Sequence, residues 1–235
     1  MNIIKRKKEL MKKVFITLFL ITICFVPVFA DTISYDKSDF APVYTVIDDA
    51  VYDIRYYSSY NFTGNRIDGY DAPVAYMTKE ALKALSVAAA DLRKQGYRLL
   101  IWDTYRPQKA VDNFVKWIND PDNEGNKTFY PTLKKSDLLK GNYIAEKSGH
   151  TRGSTVDLTL IKMDGSLVDM GGTFDLFSEI SHPDYKKLTK KQKQNRKILH
   201  DAMIKAGFDG IESEWWHFTL KDEPYPNTYF DFDVK

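Results

Sequence analysis

Two short stretches hold most of the side chains in this sequence that can do chemistry. Residues 148–157 read Ser-Gly-His-Thr-Arg-Gly-Ser-Thr-Val-Asp, and residues 214–217 read Glu-Trp-Trp-His. Between them they offer two imidazoles (His150 and His217), one carboxylate ligand (Asp157) and a spare carboxylate (Glu214). A catalytic zinc site needs three protein ligands, one position left open to water, and a base beside it. Gly149 and Gly153 flank His150 and permit the bend that returns its imidazole toward the following segment. In a strand beginning at Thr155, Asp157 shares a face with Thr155 and Thr159, while Val156, Leu158 and Leu160 point the other way. The apolar set belongs in the core, which leaves Asp157 lining the opposite surface. Glu214 is placed to orient a water at the metal without ligating it. Three residues apart on a straight strand, Glu214 and His217 would point oppositely, so a bend is expected near Glu214. Of the paired tryptophans, one is expected in the core and the other as a wall of the pocket. His182 and His200 lack such company and read as ordinary core or surface histidines.

The elements that must position these groups are partly legible. Residues 43–47 and 51–56 are β-branched and aromatic and read as strands. Residues 61–71 form a Gly-, Asn- and Asp-rich loop. Residues 77–95 carry Leu82, Leu85, Ala89 and Leu92 at helical spacing, with Thr78 as N-cap and Gly96 after the end. A compact apolar strand spans 97–102. The Asp103-Thr-Tyr-Arg106-Pro107 turn leads out of it into a helix over 108–117. Residues 121–142 are polar and Lys-rich, a long surface loop with a helical turn. A strand over 155–161 ends at the hairpin signal Asp164-Gly165. A second amphipathic helix runs from 189 to 206 before Gly207, and a final strand over 216–220 precedes an acidic, aromatic tail. Strands mixed with a few helices, without regular βαβ alternation, predict an α+β single domain. Its mostly antiparallel sheet packs against the helices and carries the zinc site on one face.

The first thirty residues differ from the rest. Lys5, Arg6, Lys7, Lys8, Lys12 and Lys13 precede an apolar run over 14–26. Pro27 follows, with the small residues Val28 and Ala30 where a signal peptidase inspects. This is the layout of a secretory signal over 1–30, cleaved after Ala30, leaving a catalytic domain over 31–235. The alternative is an uncleaved anchor, for which the run is short against a span of about 20 residues. Met11 would serve equally as a start. Residues 1–30 carry six of the 34 Lys+Arg and one of the 32 Asp+Glu, so the remainder holds 28 against 31, a net charge of −3. No basic surface is left, and nucleic acid is not an expected partner. The lone Cys24 lies in the apolar run. Ile23 is bulky where a lipoprotein signal wants a small residue, so Cys24 reads as filler. The mature chain then has no disulfide and no thiolate ligand, and a core of about 205 residues needs no such staple. A secreted location and no stable membrane insertion after signal removal are expected.

The joint pattern Ser-x-His-x-x-Gly-x-x-x-Asp followed by Glu-x-x-His resembles the zinc D-Ala-D-Ala metallopeptidases. Within them it is most similar to the D-alanyl-D-alanine dipeptidases, the type also found in vancomycin resistance. Asp53-Ile-Arg-Tyr56 with Asn61-Phe-Thr-Gly64, Asp103-Thr-Tyr-Arg106-Pro107 and Met170-Gly-Gly-Thr-Phe-Asp175 agree, so the likeness runs from about residue 40 to 220. The resemblance implies one Zn²⁺ per chain on His150, Asp157 and His217. It makes Glu214 the catalytic base and proton shuttle, and Arg106 the stabiliser of the developing oxyanion. Ser148, Tyr56 and Asp175 would hold the ends of a small D,D-dipeptide, Asp175 facing its ammonium group. Plain alternatives stand beside two of these: a surface salt bridge for Arg106, and a helix N-cap before Leu176 for Asp175. A His₂Asp set also suits other transition metals. A D,D- or L,D-carboxypeptidase trimming peptidoglycan stem peptides outside the membrane is the sister activity, and a non-catalytic zinc-holding binding protein is the alternative of another class. Members of the family are mostly described as cytoplasmic, so the signal peptide is a departure that bears on role rather than chemistry.

Overall fold

A computed structural model describes residues 31–140 and 143–235. The expected signal over 1–30 lies outside the described residues. Asp31–Lys235 forms one compact unit. Its centre is a five-stranded sheet of β3 (Val51–Tyr52), β5 (Tyr97–Asp103), β6 (Thr155–Lys162), β8 (His217–Leu220) and β7 (Phe208–Gly210), in that spatial order. Only the β3–β5 pair is parallel; β5–β6, β6–β8 and β7–β8 are antiparallel. Two small ladders flank it: β1 (Thr32–Ser34) runs parallel to β9 (Thr228–Phe230), and β2 (Phe40–Pro42) antiparallel to β4 (Tyr76–Thr78). Helices α1 (Lys79–Lys94) and α4 (Lys190–Lys205) pack on each other and against β5 and β7 respectively; α2 (Gln108–Asn119) and the single turn α3 (Asp137–Lys140) complete the set. The expected α+β domain with a mostly antiparallel sheet is what forms. Among the described residues no helix is long and apolar enough to cross a membrane.

The helix boundaries follow local chemistry. Thr78 caps α1 by accepting from the Ala81 amide, and Leu82, Leu85, Ala88 and Leu92 are buried along one stripe. Thr189 and Gln192 close a capping box on α4. The Asp164-Gly165 turn forms, but the returning arm pairs only through an Ile161–Leu167 bridge.

Three expectations are corrected. Residues 43–47 are not a strand; Val43–Thr45 is a 3₁₀ turn whose backbone closes on Val43. Val43 and Ile47 are buried while Tyr44, Thr45 and Val46 are all exposed; strand alternation would bury Thr45 with its neighbours two residues away, whereas a helical turn spaces buried residues four apart. Of residues 51–56, only Val51–Tyr52 is strand. Ile54, Arg55 and Tyr56 are buried in succession, and Arg55–Tyr57 coils into a 3₁₀ turn in which the Tyr57 amide donates to the Ile54 carbonyl and the Ser58 amide to the Arg55 carbonyl. The third concerns β6, expected to turn one face outward. Residues 155–161 are buried throughout, Asp157 included. Aromatic side chains form a second packed layer that includes Trp102, Phe174, Trp215 and Trp216, with neighbouring ring centroids 5.2–5.9 Å apart. The acidic, aromatic tail is also structural: Phe230 and Phe232 pack with Phe40, and Phe232 stacks on Tyr105 at 4.1 Å, which seats the turn carrying Arg106.

Gly153 is the tightest backbone position near the sheet. It holds φ +81°, and a Cβ there would collide with the Phe40 ring. Gly153→Ala is expected to cost about 2–5 kcal/mol through left-handed strain and overpacking. For a domain of this size that is a fall of roughly 5–15 °C in thermal midpoint. An unchanged melting curve would refute the steric reading of this turn.

Candidate active site

The site is built on a row across the sheet. β5, β6 and β8 place Asp103 opposite Asp157, and Asp157 opposite His217. Residues paired this way share a face, so the three side chains emerge side by side. A bulge between Ile101 and Asp103 re-aims the end of β5, the use bulges commonly serve beside active sites. His150 joins from the 3₁₀ turn Gly149–Arg152, which Ser148 caps by accepting from the His150 amide at 3.3 Å. Glu214 precedes a turn closed by the His217 amide on the Glu214 carbonyl, so the expected bend is present.

His150, Asp157 and His217 each offer one ligand atom, all within 4.8 Å of one another. His150 Nε2 is 3.0 Å from Asp157 Oδ2 and 3.3 Å from His217 Nδ1, and His217 Nδ1 is 3.0 Å from Asp157 Oδ1. A tetrahedral ion with bonds of about 2.0–2.1 Å separates its ligands by roughly 3.3 Å. The spacing therefore fits an ion at the centre. Proton placement fits as well. His150 Nδ1 is 2.6 Å from the Thr104 carbonyl, which can only accept, so a neutral His150 donates there and aims a lone pair at Asp157. Two acceptors facing each other at 3.0 Å repel unless a proton or a metal ion lies between them. Asp157 Oδ1 is buried and accepts no well-formed hydrogen bond, a second atom wanting that cation. The His150–carbonyl bond is the outer support typical of a metal-bound imidazole.

Electrostatics separates the carboxyls. Burial works against the Asp157 carboxylate, but His150 and His217 outweigh it and hold its pKa below the ordinary range. Glu214, with Oε2 3.6 Å from His217 Nδ1, is pushed up to about 7 mainly by burial, with the Asp157 charge adding to it. Burial, then the same Asp157 charge, raises Asp175 well above its usual value. Tyr56 donates its hydroxyl to Asp175 Oδ2 at 2.8 Å. Arg106 is not a surface salt bridge. Its Nε and Nη2 each lie 2.9 Å from Asp103 Oδ2, its guanidinium covers Tyr56 at 4.9 Å, and its side chain is 12% exposed. Arg106 Nη1 donates to Ser148 Oγ at 3.4 Å.

All eight nominated residues line one cavity of about 240 Å³: Tyr56, Arg106, Ser148, His150, Asp157, Asp175, Glu214 and His217. Phe62, Val111, Phe114 and Phe177 supply apolar wall. Two expectations fail here. Asp175 is no helix N-cap: it sits at φ +57° in a turn, and the next helical turn, Glu179–Ser181, begins after Ser178. Neither Trp215 nor Trp216 walls this cavity. The turn at Glu214 drives both into the aromatic layer, and Trp215 borders a neighbouring groove that also includes His182 and His200. Asp103 and the Thr104 carbonyl escaped notice as site groups, although the i, i+3 spacing of Asp103 and Arg106 was visible.

The chain was compared with known proteins. A family model described as "D-ala-D-ala dipeptidase" matches residues 36–235. A D-alanyl-D-alanine dipeptidase of Enterococcus faecium is 41% identical over 82% of this chain and 98% of its own length. One from Enterococcus faecalis is 42% identical over 80% and 96%, and one from Streptomyces coelicolor 41% over 83% and 98%.

His217→Ala removes one of the three candidate ligand atoms. Purified protein is expected to lose its stoichiometric divalent metal by elemental analysis, and dialysis against a chelator to lower the wild-type melting midpoint by about 10 °C. Full metal occupancy in the variant would remove His217 from the centre.

Proposed function

Because this chain belongs to the D-ala-D-ala dipeptidase family, we propose that it is a zinc metallopeptidase hydrolysing D-alanyl-D-alanine to two D-alanines. The observation that carries the reading is the convergence of a His₂Asp centre, a carboxyl raised by burial and a clamped guanidinium in one small cavity. A cavity of about 240 Å³ falls below the roughly 300–1,000 Å³ of drug-sized sites, which suits a dipeptide of small residues better than a stem peptide.

His150, Asp157 and His217 would hold one zinc ion per chain. When bound, the ion makes a water acidic enough to attack at neutral pH and polarises the scissile carbonyl. Glu214, beside His217 and largely buried, takes the proton of the attacking water and returns it to the leaving amine. A carboxyl raised toward neutrality by its surroundings suits this exchange, and a cation nearby favours its base form. Arg106 presents a fixed positive charge to the oxygen that becomes negative in the transition state. Ser148 and Tyr56 position the dipeptide, and Asp175 faces its ammonium group, a charge that an internal stem-peptide bond lacks. Metal holding alone would require neither Glu214 nor Arg106 in the cavity, which speaks against a non-catalytic binding protein.

The protein acts outside the cytoplasmic membrane in this reading, released by cleavage after Ala30. The support is the basic stretch, short apolar run and small residues at Val28 and Ala30. N-terminal sequencing of exported protein should begin at Asp31; a retained Met1 or Met11 terminus would overturn this.

For the chemistry, purified 31–235 protein with zinc should release D-alanine from D-Ala-D-Ala and leave L-Ala-L-Ala and a D-Ala-D-Ala-terminated pentapeptide essentially intact. Preferred cleavage of the pentapeptide would transfer the protein to the carboxypeptidases. Glu214→Ala should keep its zinc yet lose roughly 100- to 10,000-fold in turnover. Wild-type turnover in that variant would exclude Glu214 from the mechanism.

A further inference from the structure

Asp103 has a place in this site that neither the metal centre nor the substrate contacts account for. It ends β5, is 1% exposed, and lies opposite Asp157 in the sheet. Like charges directly across a sheet are unfavourable, and more so when buried. The position is tolerable because two cations or potential cations bridge the carboxylates. Arg106 Nη2 is 2.9 Å from Asp103 Oδ2 and 3.7 Å from Asp157 Oδ2. His150 lies between the same pair, its Nδ1 3.5 Å from Asp103 and its Nε2 3.0 Å from Asp157.

The grip on Arg106 is the tighter of the two. Both Nε and Nη2 reach the same carboxylate oxygen at 2.9 Å, while the other oxygen is occupied by the Tyr70 hydroxyl at 2.6 Å. Tyr70 is itself fully buried, so the carboxylate cannot swing away. The Tyr56 and Phe114 rings, 4.9 and 5.3 Å from the guanidinium carbon, bound the remaining directions. An unrestrained arginine carries about 2 kcal/mol of rotamer entropy, and a transition-state donor is effective when that cost is met before the reaction.

We propose that Asp103, backed by Tyr70, is the positioning residue that fixes the plane and reach of Arg106 for its work on the developing oxyanion. The proposal rests on the reading of the cavity as a dipeptidase centre. Asp103 touches neither the reacting bond nor the ion; it acts through Arg106.

The test is a double-mutant cycle on zinc-loaded protein with D-Ala-D-Ala. Asp103→Asn keeps shape and still accepts from Tyr70, but removes the charge that holds the guanidinium. It should lower kcat roughly 10- to 100-fold with KM moved less than about 3-fold, with zinc content remaining at one per chain. In an Arg106→Ala background the same change should cost no further kcat. Tyr70→Phe, which keeps the carboxylate and loses only its anchor, should reproduce a smaller kcat loss that also vanishes without Arg106; it decides the matter should Asp103→Asn not fold. Wild-type kcat in Asp103→Asn, or equal losses in both backgrounds, would overturn the proposal and make Asp103 a structural residue. A zinc-loaded wild-type protein inert toward D-Ala-D-Ala would instead overturn the dipeptidase reading.

Discussion

Two carboxylates and two imidazoles are held side by side in the interior, on one face of three adjacent strands and the turn above them. Asp103, Asp157 and His217 form a row across β5, β6 and β8, and His150 closes over it. Burying charge is expensive unless each group finds a partner, and removing one partner leaves the others stranded. Each local irregularity nearby meets this constraint. The β5 bulge brings Asp103 into line, the 3₁₀ turn delivers His150, and the left-handed Gly153 ends that turn where only a residue without Cβ fits beneath Phe40. At the centre, His150 Nε2 and Asp157 Oδ2 lie 3.0 Å apart, a contact that a proton or a metal ion between them would make favourable.

Around this row the protein builds a low-dielectric shell from aromatic side chains. Trp102, Phe174, Trp215 and Trp216 cover the sheet face, and Tyr56, Phe62 and Phe114 continue the layer toward the cavity. Such a shell strengthens every charge–charge interaction it encloses. It also lets one environment set opposite protonation tendencies on neighbouring carboxyls. Asp157, flanked by two imidazoles, is held as a carboxylate, whereas Glu214 and Asp175, with burial as the larger influence, are driven toward the neutral acid. The roles proposed for Asp157 and Glu214, a ligand that stays charged and a base that exchanges a proton, need that division.

The C-terminal residues show how far the site's support extends. Phe232 stacks on Tyr105 and its carbonyl accepts the Tyr105 hydroxyl at 2.9 Å, so the segment after β9 holds the turn from which Arg106 projects. Arg152 is tied to Glu223 by paired contacts of 2.8 and 2.9 Å, which fastens the His150 turn to the loop between β8 and β9. The positions of Arg106 and His150 thus depend on a stretch that, read as sequence, is only an acidic and aromatic tail.

What the sequence by itself determined was chemical identity. The His-x₆-Asp and Glu-x-x-His spacings named a metal-ligating set with a carboxylate beside it, because side-chain type and close spacing limit which reactions are open, and the family resemblance added Tyr56, Arg106, Ser148 and Asp175. The long helices were legible too, since period and caps are local properties. Only the tertiary structure decided the rest. Residues 43–47 coil and residues 54–56 leave the strand because burial of Val43, Ile47, Ile54 and Tyr56 against distant partners outweighs their β propensity. Asp175 became a Tyr56-bonded turn residue, both tryptophans went to the core, and Asp103 emerged as the partner of Arg106. Each of these outcomes depends on cross-strand register and on which buried charge needs a neighbour. Register is a relation between segments far apart in the chain, so it exists only once the sheet has formed.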